Sequence, residues 1–213
     1  LTADKDEQRA FLDRFYGWSG PVYDVTRRYW LLGREPALER LYAQPWNRLI
    51  EIGPGTGRNL AKLHARRPYA LLGGVEPSRA MLRRVQKRCP YARVIEGFAE
   101  DARFESLLDA PPDRVFFSYC LSMVHDPEAA LANALAQVAP GGKVVVADFG
   151  DLGRILEPAR SGLKRFLEAF HVRPLRADLL EGSHSLLEYG PGRYWIYAEI
   201  FRPVEGAPHG TAP

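Results

Sequence analysis

From Asn47 onward, short apolar runs alternate with amphipathic stretches. Arg48–Ile52, Leu71–Glu76, Ala92–Ile95, Arg114–Ser118 and Lys143–Phe149 read as strands, being brief, bounded and rich in branched or aromatic residues. Between them, Arg58–Arg67, Ser78–Arg88, Phe104–Asp109 and Pro127–Val138 carry helical patterns. Asp126-Pro127-Glu128 places an N-cap, an N1 proline and an acidic first turn in order. Pro140-Gly141-Gly142 then supplies the stop. Strands alternating with helices predict an α/β fold with a parallel sheet covered on both faces. A further helix is expected around Leu163–Phe170. Two β-like runs follow, Ser185–Tyr189 and Arg193–Phe201, joined by Gly190-Pro191-Gly192. They predict a hairpin whose last strand runs antiparallel to the others.

The first forty-four residues differ in character. Seven aromatics fall between Phe11 and Trp30, and Gly17 with Ser19-Gly20-Pro21 divides the segment into two expected helices. Gln44-Pro45 marks a boundary. The expected organisation is a helical cap over 1–44, a main domain over 45–203 and a Gly/Pro-rich tail over 204–213, expected to fray.

Composition narrows the function classes. A chain of 213 residues, 46% hydrophobic and 26% charged, can bury a core without disulfides or metals. Its two cysteines, Cys89 and Cys120, form no CxxC pair, which excludes a disulfide scaffold or cysteine-built zinc site and fits a reducing compartment. The five histidines are scattered, so no metal is expected. A net charge of +3 is too small to indicate a nucleic-acid partner. The start, LTADKDEQRA, lacks the apolar run of a signal peptide, and no stretch is long enough to span a bilayer. A cytoplasmic protein is expected.

The sharpest signal is Leu49-Ile50-Glu51-Ile52-Gly53-Pro54-Gly55-Thr56-Gly57-Arg58-Asn59-Leu60, a strand entering a loop of alternating glycines that opens a helix. Glycine lets the backbone take positive φ and approach a ligand closely. In an open α/β sheet this first loop lies at the carboxyl edge, where ligands bind. The dinucleotide fingerprint fails, because Arg58 or Leu60 stands where its third glycine belongs; no Gly-Lys-Ser/Thr follows to make a P-loop.

What remains, E-x-G-x-G-x-G, resembles class I S-adenosylmethionine-dependent methyltransferases from about Trp46 to Phe201. Glu76, Gly97-Phe98-Ala99-Glu100-Asp101, Ser118-Tyr119-Cys120-Leu121-Ser122-Met123 and Ala139-Pro140-Gly141-Gly142-Lys143 follow in the superfamily's order. The resemblance implies a Rossmann-like, seven-stranded, mostly parallel sheet with an antiparallel last strand, and S-adenosylmethionine as cofactor. It implies cofactor-binding roles for Glu51, Gly53, Pro54, Gly55, Gly57, Asn59, Glu76, Pro77, Ser78, Met81, Phe98, Ala99, Glu100, Ser118, Tyr119 and Met123. Glu51 would lie near the ammonium, Glu76 at the ribose hydroxyls, and the Phe98 stretch at the adenine. Each has a plainer reading, as a strand-end charge or, for Met81, a core side chain.

No D/N-P-P-Y/F element follows the fourth strand, which argues against a DNA amine acceptor. Tyr23-Asp24-Val25-Thr26-Arg27-Arg28-Tyr29-Trp30-Leu31-Leu32-Gly33-Arg34, the Ser118–Met123 stretch, Asp148-Phe149-Gly150 and Phe170-His171-Val172-Arg173-Pro174 together resemble diacylglyceryl-homoserine N-methyltransferases of betaine-lipid synthesis. The stretch from Asp178 to His184 is shorter than the helix that family places before its final hairpin. The resemblance implies successive methylation of a lipid headgroup amine. Tyr119, Tyr23 and His125 are the catalytic candidates, and Tyr29, Arg27, Arg34 and His171 the acceptor-binding ones. Nine Lys/Arg against one acidic residue between Arg58 and Arg88 fit peripheral contact with an anionic membrane surface. A solvated helix face explains the same charges. A soluble amine, carboxylate or hydroxyl acceptor, or a non-catalytic cofactor-binding partner subunit, are the alternatives.

Overall fold

The computed structural model describes residues 30–170, 172–180 and 185–204. Five helices and seven strands lie within them, in the order α1 (Arg34–Ala43), β1 (Arg48–Ile52), α2 (Arg58–Arg66), β2 (Leu71–Glu76), α3 (Arg79–Arg88), β3 (Arg93–Glu96), β4 (Arg114–Ser118), α4 (Pro127–Gln137), β5 (Lys143–Phe149), α5 (Ala159–Ala169), β6 (Ser185–Tyr189) and β7 (Trp195–Phe201). Of the two helices expected within 1–44, the one before the Gly17–Pro21 break lies outside the described residues, and the one after it is described only from Trp30, where α1 forms.

All seven strands form one sheet in the order β3-β2-β1-β4-β5-β7-β6. β1 to β5 pair in parallel, and β7 runs antiparallel between β5 and β6. The order reverses between β1 and β4, so the β1 loop opens at the topological switch point where α/β sheets hold ligands.

Strand alternation sorts the side chains into two cores. Ile50, Ile52, Val115, Phe117, Val144 and Val146 pack with Leu131 and Ala134 of α4. Leu49, Phe116, Val145 and Ala147 pack on the other face with Leu38 of α1, Leu60 and Leu63 of α2, and Val85 of α3. Glu51 shares the parity of Leu49, which turns its side chain toward the α2 side. A third cluster, Leu31, Tyr119, Phe149, Leu152, Leu167 and Val172, closes the carboxyl edge beneath α5.

β1, β2, β4, β5 and β6 have the expected bounds and most other element ends lie within a residue of expectation, but three differences have physical causes. The run Phe104–Asp109 forms turns, not a helix. A run of six residues is too short by itself to offset the cost of helix nucleation, and the Phe104 N–H is fastened to the Gln137 side chain at 2.8 Å. The final strand starts at Trp195, since Arg193 takes a left-handed φ of 57° in the hairpin turn. α5 begins at Ala159, a full turn before Leu163, because its exposed first turn leaves no apolar period to read. Asp126 caps α4 as expected, accepting from the Ala129 N–H at 2.9 Å.

Candidate functional site

The loop between β1 and α2 makes three left-handed steps, at Gly53 (φ 63°), Gly55 (φ 58°) and Gly57 (φ 76°). The three glycines serve different ends. A Cβ on Gly53 would stand 2.8 Å from Cys120 Cβ, and one on Gly57 would stand 2.8 Å from Val85 Cγ2. Those two positions are closed by the protein itself. A Cβ on Gly55 would meet nothing within 4 Å, so the middle of the loop faces open space. Both cysteines brace this loop, Cys120 Sγ donating to the Ile52 carbonyl at 3.0 Å and Cys89 Sγ to the Gly57 carbonyl at 3.2 Å. Burial, first of all, pushes the Cys120 thiol well up, so it stays a neutral donor.

Beside the loop, Asn59 Nδ2 in the first turn of α2 donates to Glu51 Oε1 at 2.7 Å. Both residues are buried. Glu51 Oε2 and Asn59 Oδ1 are buried without a hydrogen-bond partner among the described residues. Two adjacent residues thus present orphaned acceptors and no orphaned donor, which is the complement of a cationic N–H group. Burial raises the Glu51 pKa to about 7, against the hydrogen bond from Asn59 and the Arg34 guanidinium, which lower it. Arg34, at the start of α1 and itself buried, is the sequence candidate whose charge acts on this carboxylate.

Glu76 ends β2 and ties the loop to α3. Its Oε2 accepts from the Gly55 N–H at 2.9 Å and its Oε1 from the Ser78 N–H at 3.0 Å. Ser78 is the N-cap of α3, its hydroxyl accepting from Met81 N at 3.4 Å, and Pro77 is half-buried beside it. Met81 is buried in the helix with its sulfur 3.9 Å from Arg84 Nη1. Phe98 and Ala99 are buried, and Glu100 is half-buried, with its carboxylate near the Asp126 N–H at 3.5 Å.

Sequence reasoning missed what holds that loop. Asn133 Nδ2 donates to the Ala99 and Ala102 carbonyls at 2.8 and 3.1 Å, and Gln137 Nε2 donates to Ala102 at 2.9 Å. The signal was present: two amides four residues apart share one face of an alanine-rich helix. Asp148 was also passed over as a site residue. Fully buried in β5, it accepts from the Ser122 N–H at 3.0 Å and so fixes the 3-10 turn Leu121–Met123. A lone carboxylate in the apolar run Lys143–Phe149 was its mark.

Beyond β4, Tyr119 holds a left-handed φ of 53° and is buried edge-on against Phe149. Its hydroxyl accepts from the Gly33 N–H at 2.8 Å, and burial raises its pKa far above that of an exposed phenol. Ser118 Oγ is buried without a partner among the described residues, and Met123 is half-buried. His125 is exposed on the turn before α4. The structure therefore gathers Glu51, Asn59, Glu76 and the glycines into one constellation, and sets His125 on the surface. Tyr23, Arg27, Tyr29 and His171 lie outside the described residues.

This fold and glycine-loop site define the class of Rossmann-like methyltransferases, and the comparisons with known proteins agree. Residues 26–171 match the family described as methyltransferase domain. The chain belongs to that family, and its cofactor is S-adenosylmethionine. It is 33% identical over 138 residues to the demethylmenaquinone methyltransferase of Renibacterium salmoninarum, covering 61% of this chain and 54% of the relative. It is 30% identical over 132 residues to the trans-aconitate 2-methyltransferase of Variovorax paradoxus, covering 61% and 49%. The chain thus spans about half the length of these curated relatives. Among solved structures it superposes on a Thermotoga maritima SAM-dependent methyltransferase, titled a possible histamine N-methyltransferase. The TM-score is 0.63 at 21% identity, with 91% of this chain and 97% of that one covered. Among the described residues no helix is long and apolar enough to cross a membrane.

Proposed function

We propose that this chain transfers the methyl group of S-adenosylmethionine to a small-molecule acceptor at the carboxyl edge of its sheet. The observation that carries the reading is the pair of orphaned acceptors, Glu51 Oε2 and Asn59 Oδ1, beside the open face of Gly55. The cofactor's α-ammonium supplies the N–H donors that these oxygens lack, and its charge favours the ionised Glu51. Gly55 gives the amino-acid end a close backbone approach, with Gly53, Pro54 and Gly57 shaping the loop around it. Glu76, Pro77 and Ser78 are assigned to the ribose, Met81, Phe98, Ala99 and Glu100 to the adenine, and Ser118, Tyr119 and Met123 to the floor beneath the sulfonium.

When bound, the sulfonium supplies an already activated methyl, so the protein has chiefly to align the acceptor and exclude water. The finer reading is an amine on a homoserine-type lipid headgroup, methylated in successive steps. It rests on the resemblance of four segments and on an exposed aromatic run beside the site. There Trp30 stacks on Phe166 at 4.7 Å, and Phe166 lies 4.9 Å from Phe170. All three are more than a third exposed, which suits an acceptor with an apolar tail. An ammonium must lose a proton before it attacks, and transfer into this apolar setting lowers its pKa. Tyr23 is assigned to orient that amine or take its proton, with Tyr29, Arg27, Arg34 and His171 around the headgroup. The relatives named for demethylmenaquinone and trans-aconitate support a second reading, a soluble or quinone-like acceptor methylated on carbon or oxygen.

The test is incubation with methyl-labelled S-adenosylmethionine and a bacterial lipid extract containing the homoserine lipid, followed by mass spectrometry. Mass gains in methyl steps on that lipid are the expected result. Label confined to quinone or organic-acid fractions would transfer the assignment to the second reading. Cofactor binding without turnover on any fraction would leave a binding subunit.

A further inference from the structure

A groove between α2 and α3, outside the loop's open face, is lined by Arg58, Ala61, Lys62, Ala65 and Arg88 and has a volume of about 380 Å³. That is the scale of a small-ligand site. Its chemistry is one-sided. Ala61 and Ala65, one helical turn apart, form a low floor, and three cations form the rim. Arg83 and Lys87 add exposed charge on α3, with no carboxylate partner among the described residues. The one acidic residue between Arg58 and Arg88 is Glu76, which is buried and engaged with Gly55 and Ser78. The opposing charge at the rim is Glu35 of α1, which takes the Lys62 ammonium at 2.5 Å and is held below the ordinary carboxylate range, burial being outweighed by Lys62, Arg34 and Arg58. Among the described residues the rim thus sets three cations, Arg58, Lys62 and Arg88, against the one carboxylate of Glu35.

We propose that this groove is a binding site for a phosphate-bearing anion, distinct from the cofactor site and linked to it. The linkage runs through Arg88. Arg88 Nη1 donates to Thr56 Oγ1 at 2.9 Å, and Thr56 sits between Gly55 and Gly57 in the cofactor loop. An anion that engages Arg88 redistributes a hydrogen bond that positions this loop. Anion and cofactor therefore change each other's affinity, and by reciprocity they do so by the same factor. Planar guanidinium forks at Arg58 and Arg88 suit phosphate oxygens, and the Lys62 ammonium adds a mobile point charge. The phosphate can belong to a soluble metabolite or to a lipid headgroup; the recognising chemistry is shared.

The experiment needs no methyl acceptor, so it stands or falls separately from the methyl-transfer reading. Inorganic pyrophosphate is titrated into the full chain by calorimetry at low ionic strength, with and without S-adenosylhomocysteine. Saturable binding is expected, weakened about tenfold or more in Arg58→Gln and Lys62→Gln, as the loss of a charge-assisted hydrogen bond implies. Lys164→Gln, which removes one exposed charge from α5, serves as the control for net charge and is expected to bind as the parent does. Arg88→Gln is expected to abolish the linkage to S-adenosylhomocysteine, with thermal unfolding confirming that each variant folds. Co-sedimentation with mixed phosphatidylglycerol and phosphatidylcholine vesicles separates the sources. Vesicle binding competed by pyrophosphate and lost in Arg58→Gln assigns a headgroup, whereas pyrophosphate binding without vesicle binding assigns a soluble anion. Absence of both, or equal weakening in Lys164→Gln, overturns the proposal.

Discussion

The hydroxyl of Tyr119 accepts a hydrogen bond from the backbone N–H of Gly33, 86 residues away. It joins the exit of β4 to the chain entering α1. The fit allows no side chain at residue 33, since a Cβ there would lie 2.9 Å from both the Tyr119 oxygen and Trp195 Cγ. Tyr119→Phe leaves the Gly33 N–H buried and unpaired, so a loss of roughly 1–3 kcal/mol in unfolding free energy is expected. If Tyr119 acts by holding Gly33, the variant keeps most of its turnover; a collapse of turnover at unchanged stability would instead make the phenol a direct participant. Denaturant unfolding and kcat on the same preparation distinguish the two.

Glu51 carries the pH dependence. Burial raises its carboxyl to about 7 from 4.5, so between these values the native state holds a proton that the unfolded chain has released. Unfolding free energy therefore falls as pH rises from about 4.5 to about 7, by on the order of 3 kcal/mol from this group. Glu51→Gln is expected to flatten that segment of the stability profile measured by urea titration.

Binding has the opposite sign. A cationic ligand draws Glu51 into its ionised form, so cofactor binding near pH 6 releases about one proton. Calorimetry in buffers of differing ionisation enthalpy measures the release directly. In Glu51→Gln the release disappears and affinity for S-adenosylhomocysteine drops about thirtyfold or more, because a buried charge-assisted contact is gone. An unchanged proton count in that variant would contradict the assignment of the ammonium to Glu51.

The three loop glycines are expected to separate folding from binding. Gly53→Ala and Gly57→Ala force contacts of 2.8 Å and so destabilise the fold as well as the site. Gly55→Ala meets no protein atom and carries only the left-handed cost of about 1–2 kcal/mol. Its cofactor affinity nevertheless falls steeply, since the methyl occupies the face kept open for the ligand. Thermal unfolding set beside cofactor titration reads both effects.

Phe166 tests the acceptor side. Phe166→Ser removes the ring between Trp30 and Phe170 without touching the glycine loop. The expected result is a raised KM for the acceptor with the KM for S-adenosylmethionine unchanged. Movement of both together would show that the aromatic run supports the fold rather than the acceptor.

What the sequence by itself determined is what local pattern and backbone geometry dictate. Alternating runs specified the strands, Asp126-Pro127-Glu128 specified the start of α4, and three alternating glycines marked a loop of left-handed steps. Glu51 and Asn59 stand at either end of that loop, and the structure pairs them at 2.7 Å. Other relationships needed the tertiary structure, because they join chain-distant groups at hydrogen-bond or van der Waals distance. Nothing in the order of residues says that Cys120 fills the space a Gly53 side chain would need, or that Asn133 and Gln137 fasten the Ala99–Ala102 loop. The same holds for Tyr119: its position after β4 made it a candidate for the chemistry, but only the packing of Gly33 and Trp195 shows where its hydroxyl is spent. The run Phe104–Asp109 carries the same lesson, since a six-residue helical pattern is too short to offset nucleation without tertiary support for a helix.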